Sequence, residues 1–272
     1  MVTRRGAAFR LAEQVAARTP LLAPHRVSRP VFIVGAPRSG TTLLSRLLDR
    51  HADLAVYPTE ATPWWHPRMF PADRPPLRIP AQWRDPDRWL ENWRANWTWM
   101  DEQRLKAVLA TFLGVSEGRT LVNRNPEIAH LLPELLAMFP DARIIHMVRD
   151  GREEVASHVP KSCADAGVPP TDEAYEAHAR FWTATVRRVH ADSRRTGLVD
   201  RAGLAQVNYE DLCHDTRAEL SAIASWLGIS DLFDLSGFEP IPHLGNIGWE
   251  ALDERLRSRL ELLLAPGFAA MA

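Results

Sequence analysis

At 272 residues, 46% apolar and 25% charged, the chain has the composition of a soluble globular protein large enough for one α/β domain or two small ones. A formal net charge of −1 gives no global field for nucleic acid or an anionic membrane, and no run of ~18 apolar residues predicts a transmembrane helix. Two cysteines, Cys163 and Cys213, exclude a disulfide framework and fit a reducing compartment, and no Cys/His spacing resembles a zinc site.

Residues 5–18 are rich in Arg and poor in acids, and predict an amphipathic helix within an N-terminal extension over 1–29. Val31-Phe32-Ile33-Val34 then predicts a short buried strand, followed by Gly35-Ala36-Pro37-Arg38-Ser39-Gly40-Thr41-Thr42 and a helix over 41–50. Strand, glycine-containing loop and helix is the context of a phosphate-cradling loop. The usual loop of this kind carries lysine where Thr41 stands. A cation is supplied instead by Arg38, inside the loop. The ligand expected is therefore a phosphorylated nucleotide, not necessarily one whose γ-phosphate is transferred.

A second strand is predicted at 54–57. Residues 58–86 then hold eight prolines, which forbid a continuous helix there. Seven of the ten tryptophans lie between Trp64 and Trp99, and a helix is predicted over 87–113. Residues 58–113 read as a Pro/Trp-rich cap over the C-terminal edge of a sheet, where open α/β folds bind ligands. Most of these tryptophans fit a cap core; Trp64, Trp65 and His66 are candidates for an acceptor pocket.

Further strands are predicted at 119–123, 143–148 and 204–208, and helices at 127–138, 151–159, 171–195, 216–227 and 249–264. The alternation predicts a central parallel sheet flanked by helices in a single domain over 1–272. Strand 143–148 ends on Arg149, and Ser157 follows on the next helix. A guanidinium fork and a hydroxyl suit a second phosphate.

Three ordered motifs carry a resemblance. They are Gly35 to Thr42; Phe139-Pro140-Asp141-Ala142-Arg143-Ile144-Ile145-His146-Met147-Val148-Arg149-Asp150 with Ser157; and Asn208-Tyr209-Glu210-Asp211-Leu212. With Trp226-Leu227-Gly228 and a late Gly248-Trp249, the chain over roughly 30–260 resembles sulfotransferases that use 3′-phosphoadenosine 5′-phosphosulfate. The closest flavour is the branch holding tyrosylprotein and carbohydrate sulfotransferases and many bacterial enzymes. The resemblance implies a P-loop-type α/β fold with the 5′-phosphosulfate on Pro37, Arg38, Ser39, Gly40, Thr41 and Thr42. It implies the 3′-phosphate on Arg149 and Ser157, and Tyr209 near the adenine. Asn246, Gly248 and Trp249 would close on the donor, and no metal is required.

Sulfuryl transfer needs a base for the acceptor's proton and cations for the leaving phosphate. Glu60 is the preferred base, with His51, His66 and His158 as alternatives. Arg38 serves the leaving group, and Arg124 in Arg124-Asn125-Pro126 takes the place of the family's Lys-x-Pro lysine. The expected acceptor is a small molecule with a hydroxyl, or else an amine, in the cytoplasm, with no nucleic-acid or membrane partner. Two other readings use the same residues: a P-loop kinase with Asp150 ordering magnesium, and an inactive nucleotide-binding module.

Overall fold

The computed structural model describes residues 4–22, 27–66, 81–114, 119–239 and 247–271. Helix α1 (Arg4–Arg18) leads to β1 (Val31–Gly35), α2 (Thr41–Leu48) and β2 (Leu54–Val56). The cap region follows as α3 (Thr62–Trp65), α4 (Ala81–Arg84), α5 (Pro86–Asn96) and α6 (Trp99–Gly114). Strand β3 (Thr120–Arg124) passes through a 3₁₀ turn (Pro126–His130) into α7 (Leu132–Met138) and β4 (Arg143–Val148). Helices α8 (Gly151–Asp165) and α9 (Asp172–Arg195) precede β5 (Leu204–Asn208), α10 (Tyr209–His214) and α11 (Thr216–Leu227). The last described elements are α12 (Ile247–Glu250) and α13 (Glu254–Met271).

The five strands form one parallel sheet in the order β2-β3-β1-β4-β5. Because helices cover both faces, the strands read as continuous apolar runs. In β1, Phe32 and Val34 join the core under α6 and α7, while Val31 and Ile33 join the core under α2 and α11. The central strand β1 lies between β3 and β4, so the crossover from β3 to β4 leaves a crevice at the C-terminal ends of these three strands. The Gly35–Thr42 loop, Arg124 and Arg149 all leave the sheet at that edge.

Several predicted boundaries differ; the helix expected over 127–138, for one, begins at Leu132 after the 3₁₀ turn. The helix expected over 87–113 is two helices, because Trp97 is extended and the Thr98 backbone N–H and hydroxyl both donate to Asp101, which starts α6 afresh. The helix expected to stop at 159 continues through Pro160 to Asp165. Proline leaves the carbonyl of Ala156 without its helical donor. There α12 packs close: a Cβ built on Gly248 would lie 3.5 Å from that carbonyl. Likewise α13 runs through Pro266 to Met271, beyond the expected end at 264.

A third core joins α8, α9 and α13. Gly151, at the start of α8, belongs to it by close approach. A Cβ there would lie 2.9 Å from Leu264 and 3.0 Å from the Trp182 ring. A Gly→Ala change gains about 0.5–1 kcal/mol by restricting the unfolded chain, but overpacking costs about 1–3 kcal/mol. The clash should win. Gly151→Ala is expected to lower the thermal midpoint by a few degrees in a circular-dichroism melt; an unchanged midpoint would show that Trp182 and Leu264 yield freely.

Candidate active site

The site is a cleft of about 560 Å³ at the C-terminal edge of the sheet. Its walls bring together Pro37, Arg38, Gly40, Thr41 and Thr42 from the first loop with Glu60, Arg149 and Tyr209. These groups are scattered over 173 positions of sequence, from Pro37 to Tyr209.

The loop after β1 bends through Arg38 at φ 70° and Gly40 at φ 101°. A left-handed non-glycine residue costs about 1–2 kcal/mol, so the exposed Arg38 side chain is held in place at some cost in strain. Gly40 is confined more tightly, since a Cβ there would come 2.5 Å from the Tyr209 ring. Tyr209 therefore roofs the loop through a contact only glycine permits. The free backbone N–H groups at the start of α2 form an anion-binding end of the helix. Ser39 Oγ is buried there with no hydrogen-bond partner among the described residues, a donor suited to an anion in the loop.

At the end of β4, the Arg149 guanidinium lies over the Tyr209 ring, 4.6 Å from its centroid. Its Nη2 donates to Glu153 at 3.1 Å. Cation–π contact and ion pair fix the fork before any ligand arrives. Ser157 stands one turn beyond Glu153 on the same face of α8, half-buried and outside the cleft wall proper. Asp150 caps α8, accepting from the Arg152 N–H at 2.8 Å; that role occupies the carboxylate that a kinase would use for magnesium.

On the other side, Glu60 follows β2. Its carboxylate accepts from Arg124 Nη1 at 2.7 Å, and the same Nη1 donates to Thr42 at 2.7 Å. Arg124 thus bridges the loop and the carboxylate. The Asn125 side chain donates to the Glu60 carbonyl at 3.0 Å. The next residue, Ala61, is left-handed at φ 53° and buried, so the chain turns sharply just past Glu60.

Several expected site residues lie elsewhere. Trp65 is 0% exposed; its indole donates to Asn123 at 3.1 Å and packs edge-on to Phe32, so it belongs to the core. Trp64 is half-buried and donates to Glu13 on α1 at 2.8 Å, away from the cleft wall. His66 is buried against Trp89, with Nε2 3.4 Å from the Glu127 carboxylate. Burial pushes its pKa down to about 3. It meets the cleft wall through Glu127. Trp249 is a core residue of the α8–α9–α13 cluster, because α12 turns it inward. Gly248 packs α12 onto Ala156 next to Ser157. Asn246 lies outside the described residues.

Among the other histidines, His51 is buried, its Nδ1 accepting from the Asp53 N–H and its Nε2 2.8 Å from the Ser230 carbonyl, which is a structural role. His158 lines the cleft with Nδ1 3.3 Å from the Pro37 carbonyl; burial holds its pKa down to about 4, so it is neutral near pH 7.

Wall residues not singled out from sequence include Trp83, Arg46 and Glu127. Trp83 packs on His158 and His178 at ring distances of 4.8 and 4.3 Å. Glu127 stands three positions after Arg124, and burial followed by the nearby Glu60 charge raises its pKa to about 7. The Arg-Asn-Pro-Glu wording was its one available signal.

Comparisons with known proteins identify the family and the fold. A model described as the sulfotransferase family matches residues 30–234. Protein-tyrosine sulfotransferase 2 of Gallus gallus is 28% identical over 206 residues, 74% of this chain and 51% of that protein. Protein-tyrosine sulfotransferase 1 of Danio rerio is 33% identical over 143 residues, 50% of this chain and 37% of that protein. The chain thus spans about half the length, or less, of these curated relatives. The sulfotransferase domain of the Synechococcus PCC 7002 olefin synthase has the same fold, with a TM-score of 0.56 at 22% identity over 90% of this chain and 97% of that one. A sulfotransferase from Mycobacterium tuberculosis H37Rv does so with a TM-score of 0.60 at 18% identity, covering 92% and 81%.

Proposed function

The chain belongs to the sulfotransferase family, and from that premise we propose that it transfers the sulfuryl group of 3′-phosphoadenosine 5′-phosphosulfate to a hydroxyl, or an amine, of a small-molecule acceptor. The observation that carries this reading is the joining of two anion-binding features to a carboxylate in one cleft. The loop at Arg38–Thr42 and the Arg149–Tyr209 pair suit a nucleotide with separate 5′ and 3′ charges, and Glu60 stands opposite.

Each residue then has a defined task. Arg38, the α2 amides and Ser39 hold the 5′-phosphosulfate, and Arg149, with Ser157 near it, holds the 3′-phosphate. Glu60 takes the acceptor's proton as the acceptor oxygen bonds to sulfur and the sulfur–oxygen bond to the 5′-phosphate breaks. The charge left on that phosphate is met by Arg38 and Arg124. Arginine does not give up its proton near neutral pH, so Arg124 acts by charge alone. Its bridge to Thr42 and Glu60 also orients the base. With only two cysteines, Cys163 and Cys213, the chain has no disulfide framework, which supports a reducing, cytoplasmic setting.

The names of the relatives favour a second acceptor reading, a tyrosyl phenol on a protein. One assay separates these possibilities. Donor carrying a radiolabelled sulfuryl group is incubated, with divalent metal chelated, against a phenol, a sugar, a lipophilic alcohol, an amine and a tyrosine peptide. Label should move to at least one acceptor, with one 3′-phosphoadenosine 5′-phosphate formed per transfer. Phosphoryl transfer from ATP with magnesium, and no sulfuryl transfer, would sink the reading.

A further inference from the structure

We propose that Glu13, on the N-terminal helix α1, is a positioning residue for the catalytic loop, clamping both ends of the segment that carries Glu60. One oxygen of its carboxylate, Oε1, accepts two hydrogen bonds. One comes from the Tyr57 hydroxyl, three residues before Glu60; the other comes from the Trp64 indole N–H at 2.8 Å, four residues after it. The inference rests on the reading of Glu60 as the base.

The loop needs such a clamp for a physical reason. Between the two anchored aromatics the chain passes Pro58 and then Ala61, a non-glycine residue in the left-handed region. Conformations of this kind persist only where the surroundings over-determine them. Between Pro58 and Ala61 the Ala61 N–H donates to Thr59 Oγ1 at 3.2 Å and Asn125 holds the Glu60 carbonyl, while the Ala61 carbonyl accepts from the Trp64 and Trp65 N–H groups of α3. Among the described residues the Glu60 carboxylate itself is tied to Arg124, a long side chain. Fixing Tyr57 and Trp64 to one atom sets the span between them, and so where Glu60 can lie relative to Arg124 and the cleft.

Both donors suit the task. Tyr57 is buried and packs edge-on to Phe112 at 5.2 Å, so its ring cannot drift. Burial first, then the hydrogen bond and charge of Glu13, push the Tyr57 hydroxyl well above its ordinary value, so it remains a donor at any physiological pH. The Trp64 indole N–H is a donor only. Helix α1 is itself seated: Ala16 and Ala17 are buried, and Ala17 is part of the core that holds Tyr57 and Trp65. The family match begins at residue 30, so Glu13 lies outside it.

The test compares Glu13→Ala and Glu13→Gln in the full chain. Glu13→Ala should lower kcat about tenfold, leave the affinity for 3′-phosphoadenosine 5′-phosphate within twofold, and speed amide hydrogen exchange over 57–66 but not over β1 or β4. Glu13→Gln keeps an acceptor oxygen and should restore most of kcat. Tyr57→Phe removes the hydroxyl donor and keeps the ring, and Trp64→Phe removes the indole N–H and leaves a smaller aromatic ring; each should lower kcat about threefold, and they carry the test if Glu13→Ala does not fold. Unchanged kcat in Glu13→Ala, or nucleotide affinity falling in step with kcat, would overturn the proposal. Wild-type turnover in Glu60→Gln would instead remove the base assignment, a result read independently of the exchange data.

Discussion

Glu60→Gln is expected to lower turnover by about 10² or more while leaving the affinity for 3′-phosphoadenosine 5′-phosphate unchanged. The amide is nearly isosteric and still accepts a hydrogen bond from Arg124, so the bridge to Thr42 survives. What is lost is the basic lone pair proposed to take the acceptor's proton. Steady-state kinetics and calorimetry on the same variant separate the two effects. Full activity in Glu60→Gln would move the base to another wall residue. Glu127 is the first alternative, because it lines the same cleft and its pKa is raised to about 7 by burial and by the Glu60 charge. His158 is the weaker alternative, because its Nδ1 faces the Pro37 carbonyl at 3.3 Å.

Arg149→Ala should weaken the binding of 3′-phosphoadenosine 5′-phosphate by about 2–3 kcal/mol, some 30- to 150-fold, the scale of a lost charge-assisted hydrogen-bonded pair. The wild-type guanidinium is held over Tyr209 and against Glu153, so little ordering entropy opposes binding. Truncation also leaves the Glu153 carboxylate near the phosphate without its cation, and this adds to the loss. Binding of adenosine 5′-monophosphate, which has no 3′-phosphate, should change far less. An equal loss for both nucleotides would mean that Arg149 supports the cleft generally instead of reading the 3′ position.

The chemistry of the cleft was more legible in the sequence than its walls. The loop at Gly35–Thr42, Arg124, Arg149 and Tyr209 all sit at strand ends or helix starts, where apolar runs break to polar residues; most of the loop, Arg149 and Tyr209 line the cleft, and Arg124 bonds to its wall at Thr42 and Glu60. The strand pattern was equally readable, since strands buried on both faces are continuous apolar runs. Proline misled at Pro160 and Pro266, because both helices continue past the missing N–H. The tryptophans misled for a different reason. A tryptophan beside a candidate base can face the pocket or the core, and period alone cannot choose. Trp65 turns inward because Asn123 and Phe32 receive it, partners 58 and 33 residues away. Glu13 was invisible in the same way, being an ordinary acid on a helix until the fold brings Tyr57 and Trp64 to it.

The most direct measurement of the central claim is a crystal structure of the chain with 3′-phosphoadenosine 5′-phosphate bound. The 5′-phosphate is expected on the Arg38–Thr42 loop and the 3′-phosphate on Arg149, with an open acceptor cavity against Glu60. A nucleotide bound the other way round, with its 5′-phosphate on Arg149, or bound outside this cleft, would contradict it.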